Sequence, residues 1–384
     1  MLLFVMWALQ QYLVQGLTVE GNPLFLPMAA FAAVIAAQII FHLSQYQYVT
    51  RVEASKYLTY ALLAFVASQV YRGEREIRGF LVALTVFGGA VALFAVIQDL
   101  SSNGAIYWLR VPREGGAIFG PYVNRNHYAG LMEMLTAIPL VLGLSRRYST
   151  GQRALFALSS ILMAGSVFLS GSRAGAATVL AQMLLVALLL GRKRRGAAAL
   201  WTSAAVFVGV VALLFWLNGS GLLDRFTPVR VHDELSGGRL AISRDALRMW
   251  KHHPILGFGL GNFANFYPHY RSFYTDFFVN EVHNDYVQLL VETGVVGFAA
   301  GMWFVVVLLW RGMKGWLRAE GEPAGAQLAC FVACAGILVH SFADFNLHIP
   351  ANAALFYVLA MVTTVNLKNS YHRELPFHRQ TVVN

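Results

Sequence analysis

The chain has 384 residues, of which 57% are hydrophobic and only 12% charged, with a formal net charge of +10. Soluble domains carry roughly 25% charged residues, so this composition excludes a soluble globular enzyme. The excess positive charge gathers in short segments between apolar runs, as the positive-inside rule produces, and does not point to nucleic acid.

Apolar, nearly uncharged runs of about 18 residues recur along the chain and read as membrane spans. The expected fold is all-α, a polytopic transmembrane helix bundle of about eleven spans with one long external loop. The spans fall near 2–14, 25–43, 57–71, 79–98, 127–144, 154–170, 174–190, 197–217, 286–310, 326–341 and 351–365. The first begins with no basic flank and no small-residue cleavage site. It reads as a signal-like segment or as the first helix of a bundle whose relatives carry one more. Cys330 and Cys334 lie one helical turn apart inside an apolar run and read as packing residues.

The basic segments set the orientation. The loop 145–152 with Arg153, the turn 192–195, a loop marked by Arg311, Lys314 and Arg318, and the tail with Lys368 and Arg373 all fit one, cytoplasmic, side. The segments 99–126, 218–282 and 343–350 then lie outside. The organisation is transmembrane helices over 1–217, an external loop over 218–285, further transmembrane helices over 286–366 and a cytoplasmic tail over 367–384. A site on the outer side has no ready supply of ATP or sugar nucleotides, which favours a lipid-carried substrate.

Candidate polar residues gather on that side. Near 119–130, Arg125, Asn126 and His127 open a span and either order the outer loop or contact substrate; Glu133 inside the span calls for a polar partner. Arg173, in the run Gly-Ser-Arg-Ala-Gly, sits at an outer turn among small residues, facing a cavity or snorkelling to headgroups. In the long loop, Ser236-Gly237-Gly238-Arg239 leads into a helix that Pro254 closes, with Leu240, Leu247 and Trp250 as its apolar stripe. Arg239 at that helix start suits an anion. Arg244, Arg248 and Lys251 fall on another face, either solvated or anion-binding.

The segment from Gly257 to Gly261 lacks phosphate-loop spacing and reads as a tight turn. The aromatics Phe263, Phe266, Tyr267, Tyr270, Phe273, Tyr274, Phe277 and Phe278 form an interfacial belt or a platform for sugar rings. Asn284, Gln288 and Glu292 recur every four residues along one face of the next helix, with His283 and Asp285 at its mouth. A helix cap accounts for Asp285 but not for Gln288 and Glu292 deeper in. The run from His340 to His348 forms another outer cluster, in which His340 and Asp344 are one turn apart.

The runs GPYVNRNHYAG, GSRAG, GGRLAISRDALRMWKHHPILGFGLGNF and HNDYVQLLVETGVVG, in this order, resemble the O-antigen ligase and O-antigen polymerase family of bacterial membrane glycosyltransferases. The resemblance covers roughly 120–297. It implies a C-type glycosyltransferase-like fold in the inner membrane with its site facing the periplasm. It also implies an undecaprenyl-pyrophosphate-linked glycan donor, no cofactor and no metal. The acceptor it implies is lipid A-core for a ligase or another carrier-linked glycan for a polymerase. Protein O-glycosylation and lipid-linked glycan transport stand as alternatives. The family's catalytic arginines and histidine map onto Arg173, Arg239 and His283, with Arg244 as the rival to Arg239. Arg244, Asn284, Gln288, Glu292, Arg125, Asn126, His127 and His340 are the expected substrate contacts. The residues themselves agree with this chemistry: no Asp-x-Asp is present, arginines can stabilise a leaving phosphate, and histidine suits a base at neutral pH. The string Glu281-x-His283-x-Asp285 is the one arrangement that would suit a metal.

Overall fold

In lipid a backbone must satisfy its own hydrogen bonds, so apolar runs of this length become helices. A computed structural model describes residues 2–13, 19–102, 104–112, 117–145, 147–190, 201, 204–212, 238–275, 278–318 and 323–366. The helices with described bounds before the long loop are α1 (Leu2–Leu13), α2 (Phe25–Ile40), α3 (Gln47–Val70), α4 (Glu74–Ser101), α5 (Arg125–Leu142), α6 (Thr150–Leu169) and α7 (Arg173–Leu190). Within the loop lie α8 (Leu240–Trp250) and the short α9 (Phe263–Phe266), and after them come α10 (Asp285–Arg318), α11 (Pro323–His340) and α12 (Pro350–Thr364). Among the described residues there is no strand, only two isolated bridges, Ile106 with Arg110 and Phe119 with Tyr122. The chain is thus an all-helical membrane protein.

Among the described residues, four helices are long and apolar enough to cross a membrane: Glu74–Ser101, Thr150–Leu169, Arg173–Leu190 and Asp285–Arg318. Four shorter ones are also apolar, Leu2–Leu13, Phe25–Ile40, Gly325–His340 and Pro350–Thr364. These helices and the central α5 overlap the expected spans, while 204–212, the described part of the span at 197–217, is helical. The basic run 192–195, the loop residues 218–237 with Ser236 and Gly237, Phe277 and the tail 367–384 lie outside the described residues.

The bundle is built around α5. Every residue from His127 to Leu142 is buried, and α4, α6, α7, α11 and α12 pack around this post. A second layer sets α2 against α10 and α3 against α12, and α8 lies on α10.

The structure corrects two expectations. Arg311, Lys314 and Arg318 do not mark a loop; α10 runs through them to Arg318, and Arg311 and Lys314 lie over the Trp310 ring. Cationic side chains mark where a helix meets the membrane surface, which need not be where it ends. On α8, two residues of the expected stripe, Leu240 and Leu247, are turned outward, while Trp250 packs against the interior. The buried face of this helix is Ile242, Asp245, Ala246 and Met249. That face joins Phe258, Phe263, Tyr267, Val282 and Val291 in a small core of its own. The aromatic segment is therefore divided. Phe263 and Tyr267 are interior, while Tyr274 and Phe278 are exposed.

A break inside α10 ties this external piece to the bundle. Gly294 has φ 63° and ψ −171°, which interrupts the helical hydrogen bonding. The freed groups are taken up by the loop after Pro254. Phe258 and Gly259 donate N–H groups to the carbonyls of Val291 and Glu292, each at 3.0 Å. In return, Val295 donates to Pro254 at 2.9 Å and Val296 to Ile255 at 3.2 Å. From α2, the Gln38 amide donates to the carbonyls of Leu256 at 2.7 Å and Glu292 at 2.9 Å. The glycine run is the tight turn its sequence suggests, since a Cβ at Gly257 would meet the Glu292 backbone.

Candidate functional site

Four segments far apart in sequence meet at one buried carboxylate, Asp344, in the turn after α11. Its Oδ1 accepts the Phe345 N–H at 2.9 Å and the Nδ1–H of His283 at 3.3 Å. Its Oδ2 accepts the Asn126 amide at 2.6 Å, with Arg239 Nη2 at 3.6 Å. His127 Nε2 is 3.9 Å from Oδ1, and the rings of His127 and His283 both pack edge-on against Phe345. Burial alone would raise the Asp344 carboxyl. The hydrogen bond and charge of His283, then the charges of Arg239 and His127, outweigh it and hold this carboxyl well below the usual carboxylate range. Asp344 is thus a fixed anion.

Each partner is delivered by a local device. Asn124 caps α5, its side chain accepting the Asn126 N–H at 2.8 Å, so Asn126 and His127 begin that helix beside the turn. Arg239 stands at the start of α8, where the chain leaves Gly238 at φ 122°; its Nη1 donates to the Ala343 carbonyl at 3.0 Å. His283 precedes α10 with φ 59°, in the left-handed region that only some non-glycine residues enter. That conformation turns the ring toward Asp344. Because the carboxylate accepts from Nδ1, a neutral His283 carries its lone pair on Nε2, and a quarter of the side chain is exposed. The group is an oriented base beside a guanidinium.

The remaining expected residues separate clearly. Arg173 is half-buried at the start of α7; two residues on, Gly175 abuts Ala129, so the first turns of α7 and α5 adjoin near the cluster. Arg125 is half-buried and its backbone N–H bonds Ala117. Arg244 is exposed on α8 and has no bond to the Asp344 turn, unlike Arg239.

The polar face of α10 acts internally. Asn284 is the helix cap, accepting the N–H groups of Tyr286 and Val287 at 3.1 Å. Gln288 accepts the Val282 N–H at 3.0 Å and donates to Glu281. Glu292 accepts from Gly261 at 2.8 Å and Phe263 at 3.3 Å. These two buried side chains pin the external segment onto the helix and do not line an open pathway. His340 is also interior; its Nδ1 meets Glu133 at 2.8 Å, which supplies the partner Glu133 was expected to need. Glu281, His283 and Asp285 turn to three different partners, Gln288, Asp344 and His348.

Two residues of the outer cluster 340–348 take partners that the sequence does not show. Asp344 was seen only as a neighbour of His340, and nothing in its local sequence points to residues 126, 239 and 283. His348 pairs with Asp285 at 2.7 Å. Burial disfavours its charge, but the Asp285 hydrogen bond and the charges of Glu281, Asp285 and Glu292 push it up to about 10. This pair borders an apolar cavity of about 380 Å³ between α2, α3, α10 and α12, with Phe31, Tyr57, Leu289 and Phe304 among its walls.

Residues 158–302 match the family model described as O-antigen ligase, so the resemblance read from the motifs is borne out over this segment. The matched region contains Arg173, Arg239, Arg244 and His283. It begins after Asn126 and His127 and ends before Asp344. None of the curated proteins matches the chain.

Proposed function

We propose that this membrane protein, with its O-antigen ligase segment, is a glycosyltransferase that moves a glycan from undecaprenyl pyrophosphate to an acceptor hydroxyl. The observation that carries the reading is the convergence of His283 and Arg239 on Asp344, in a chain whose matched segment holds both. The acceptor oxygen attacks the anomeric carbon while the bond from that carbon to the pyrophosphate breaks. His283 Nε2 takes the hydroxyl proton, and Asp344 orients the ring and stabilises the imidazolium that forms. Arg239, whose side chain is one-third exposed, meets the charge that builds on the leaving phosphate, with Arg173 approaching from the adjoining helix start. Arginines supply this stabilisation without a metal ion. The outward placement of the cluster, facing the periplasm from the inner membrane, rests on the basic segments.

The acceptor we favour is lipid A-core. The chemistry at His283 is the same for a growing carrier-linked glycan or a protein hydroxyl, so only the product distinguishes ligase, polymerase and protein glycosylation. The purified protein, an undecaprenyl-pyrophosphate-linked oligosaccharide and lipid A-core in detergent test the reading. A glycan newly bonded to lipid A-core, with free undecaprenyl pyrophosphate released, is the expected result. Elongated carrier-linked glycan assigns a polymerase. Flipping of the carrier lipid in vesicles with no covalent product overturns the enzyme reading in favour of a transporter.

A further inference from the structure

Below the Asp344 cluster lies a second acid–base pair, Glu133 on α5 and His340 at the end of α11, with both side chains fully buried. Such a pair between membrane helices carries a desolvation cost, and apolar side chains of similar volume often pack there as stably. Its geometry gives it a use. Asn126 and Glu133 are seven residues apart on α5, about two turns, and so share a face. Through them α5 grips one short stretch of chain at two points, Asp344 at 2.6 Å and His340 at 2.8 Å. Between those points the backbone is closed on itself. The His340 carbonyl accepts the N–H groups of Ala343 at 2.8 Å and Asp344 at 3.1 Å. The Ala343 carbonyl in turn accepts Arg239.

We infer that Glu133 and His340 are a positioning pair that fixes the Asp344 turn on α5, and through it the placement of His283 relative to Arg239. His340 then acts from inside the bundle and does not contact substrate. The inference rests on the glycosyl-transfer reading. Displacements of about 1 Å at a catalytic group can lower turnover by about 10²-fold, so a loosened turn acts on rate while leaving the fold intact.

The test replaces the pair as a unit. E133L/H340L is expected to melt at or above the wild-type temperature. Its kcat with undecaprenyl-pyrophosphate-linked oligosaccharide and lipid A-core should fall at least about tenfold, with donor KM within about twofold. E133Q and H340N keep a hydrogen bond across the interface and should stay within about threefold of wild-type kcat. A stable double variant with wild-type kcat overturns the inference. So does an E133Q enzyme as impaired as the double variant, since that makes the charge and not the placement decisive. If the double variant does not fold, E133A takes its place, read well below its own lowered melting midpoint against the same kcat and KM criteria. Wild-type protein is assayed first. If it forms no product, the function fails, whereas an active wild type with an equally active double variant defeats only the positioning role.

Discussion

Gly294→Ala probes the break on which the external segment is mounted. With φ 63° and ψ −171°, Gly294 occupies a region that is essentially closed to side-chain-bearing residues. Such a backbone costs about 1–3 kcal/mol for any other residue. The new methyl group would also collide with the Ile255 carbonyl and crowd the Leu256 nitrogen. These are backbone atoms held by their own bonds to Val296 and Gln38, so they cannot swing aside as a side-chain tip would. Overpacking of this kind adds about 1–3 kcal/mol, for a total of roughly 2–6 kcal/mol against a net stability of about 5–15 kcal/mol. The melting temperature in detergent should fall on the order of 10 °C, and glycan transfer should fall with it as 254–263 moves off the helix. Gly89→Ala is the control. Gly89 lies within α4 with no atom near its missing Cβ, and alanine there is neutral or stabilising by up to about 1 kcal/mol. Both variants melting at the wild-type temperature would refute the account of the break.

His283→Gly removes the ring but relieves the left-handed backbone at φ 59°. It should therefore fold at least as well as His283→Ala while transfer falls about 10²–10⁴-fold; normal turnover in a stable His283→Gly enzyme would end the role of base. Arg239→Lys should lower turnover because lysine lacks the planar fork. Arg244→Ala, at an exposed position, should stay within about threefold, and an opposite ranking of these two would reverse the assignment between them. His348, pushed up to about 10, contributes stability that is complete below its ordinary value near 6.5 and is lost as pH rises through about 10. The melting temperature should thus decline between pH 7 and 10 in the wild type and decline less in His348→Gln; identical slopes would remove the Asp285–His348 ion pair as the cause.

The apolar runs located the helices well because a membrane imposes one solution on the backbone. Which face of each helix meets lipid and which meets protein was less accessible, since both surroundings are apolar and helix interfaces carry no hydrophobic signature of their own. Alpha-helical periodicity failed on α8 for a related reason. Leu240 with Leu247 and Ile242 with Ala246 and Met249 both make acceptable stripes, Trp250 can border either, and only the docking against Phe258 and Val291 selects the second. Polar residues were more informative. Glu133 announced a partner by its cost, and His283 and Arg239 stood out at helix starts. The partners themselves lie 207 residues from Glu133 and 61 from His283, distances across which one sequence carries no pairing signal.

The same separation accounts for the fate of Asn284, Gln288 and Glu292. Their spacing correctly placed them on one helical face, but a polar face inside a bundle can serve either an open pathway or another piece of backbone. Here the break at Gly294 settles the matter. A segment such as 254–263 has N–H and carbonyl groups of its own, and it can lie against a membrane helix only if each finds a partner. Glu292 provides two acceptors for Gly261 and Phe263, Gln38 reaches Leu256 and Leu260, and the glycines allow the two backbones to touch. The polar face therefore secures the far end of the external segment, while Arg239 secures its near end to the Asp344 turn. A segment tied at both ends carries its arginine to the cluster as part of the fold, so the fold itself holds Arg239 and His283 on the same carboxylate.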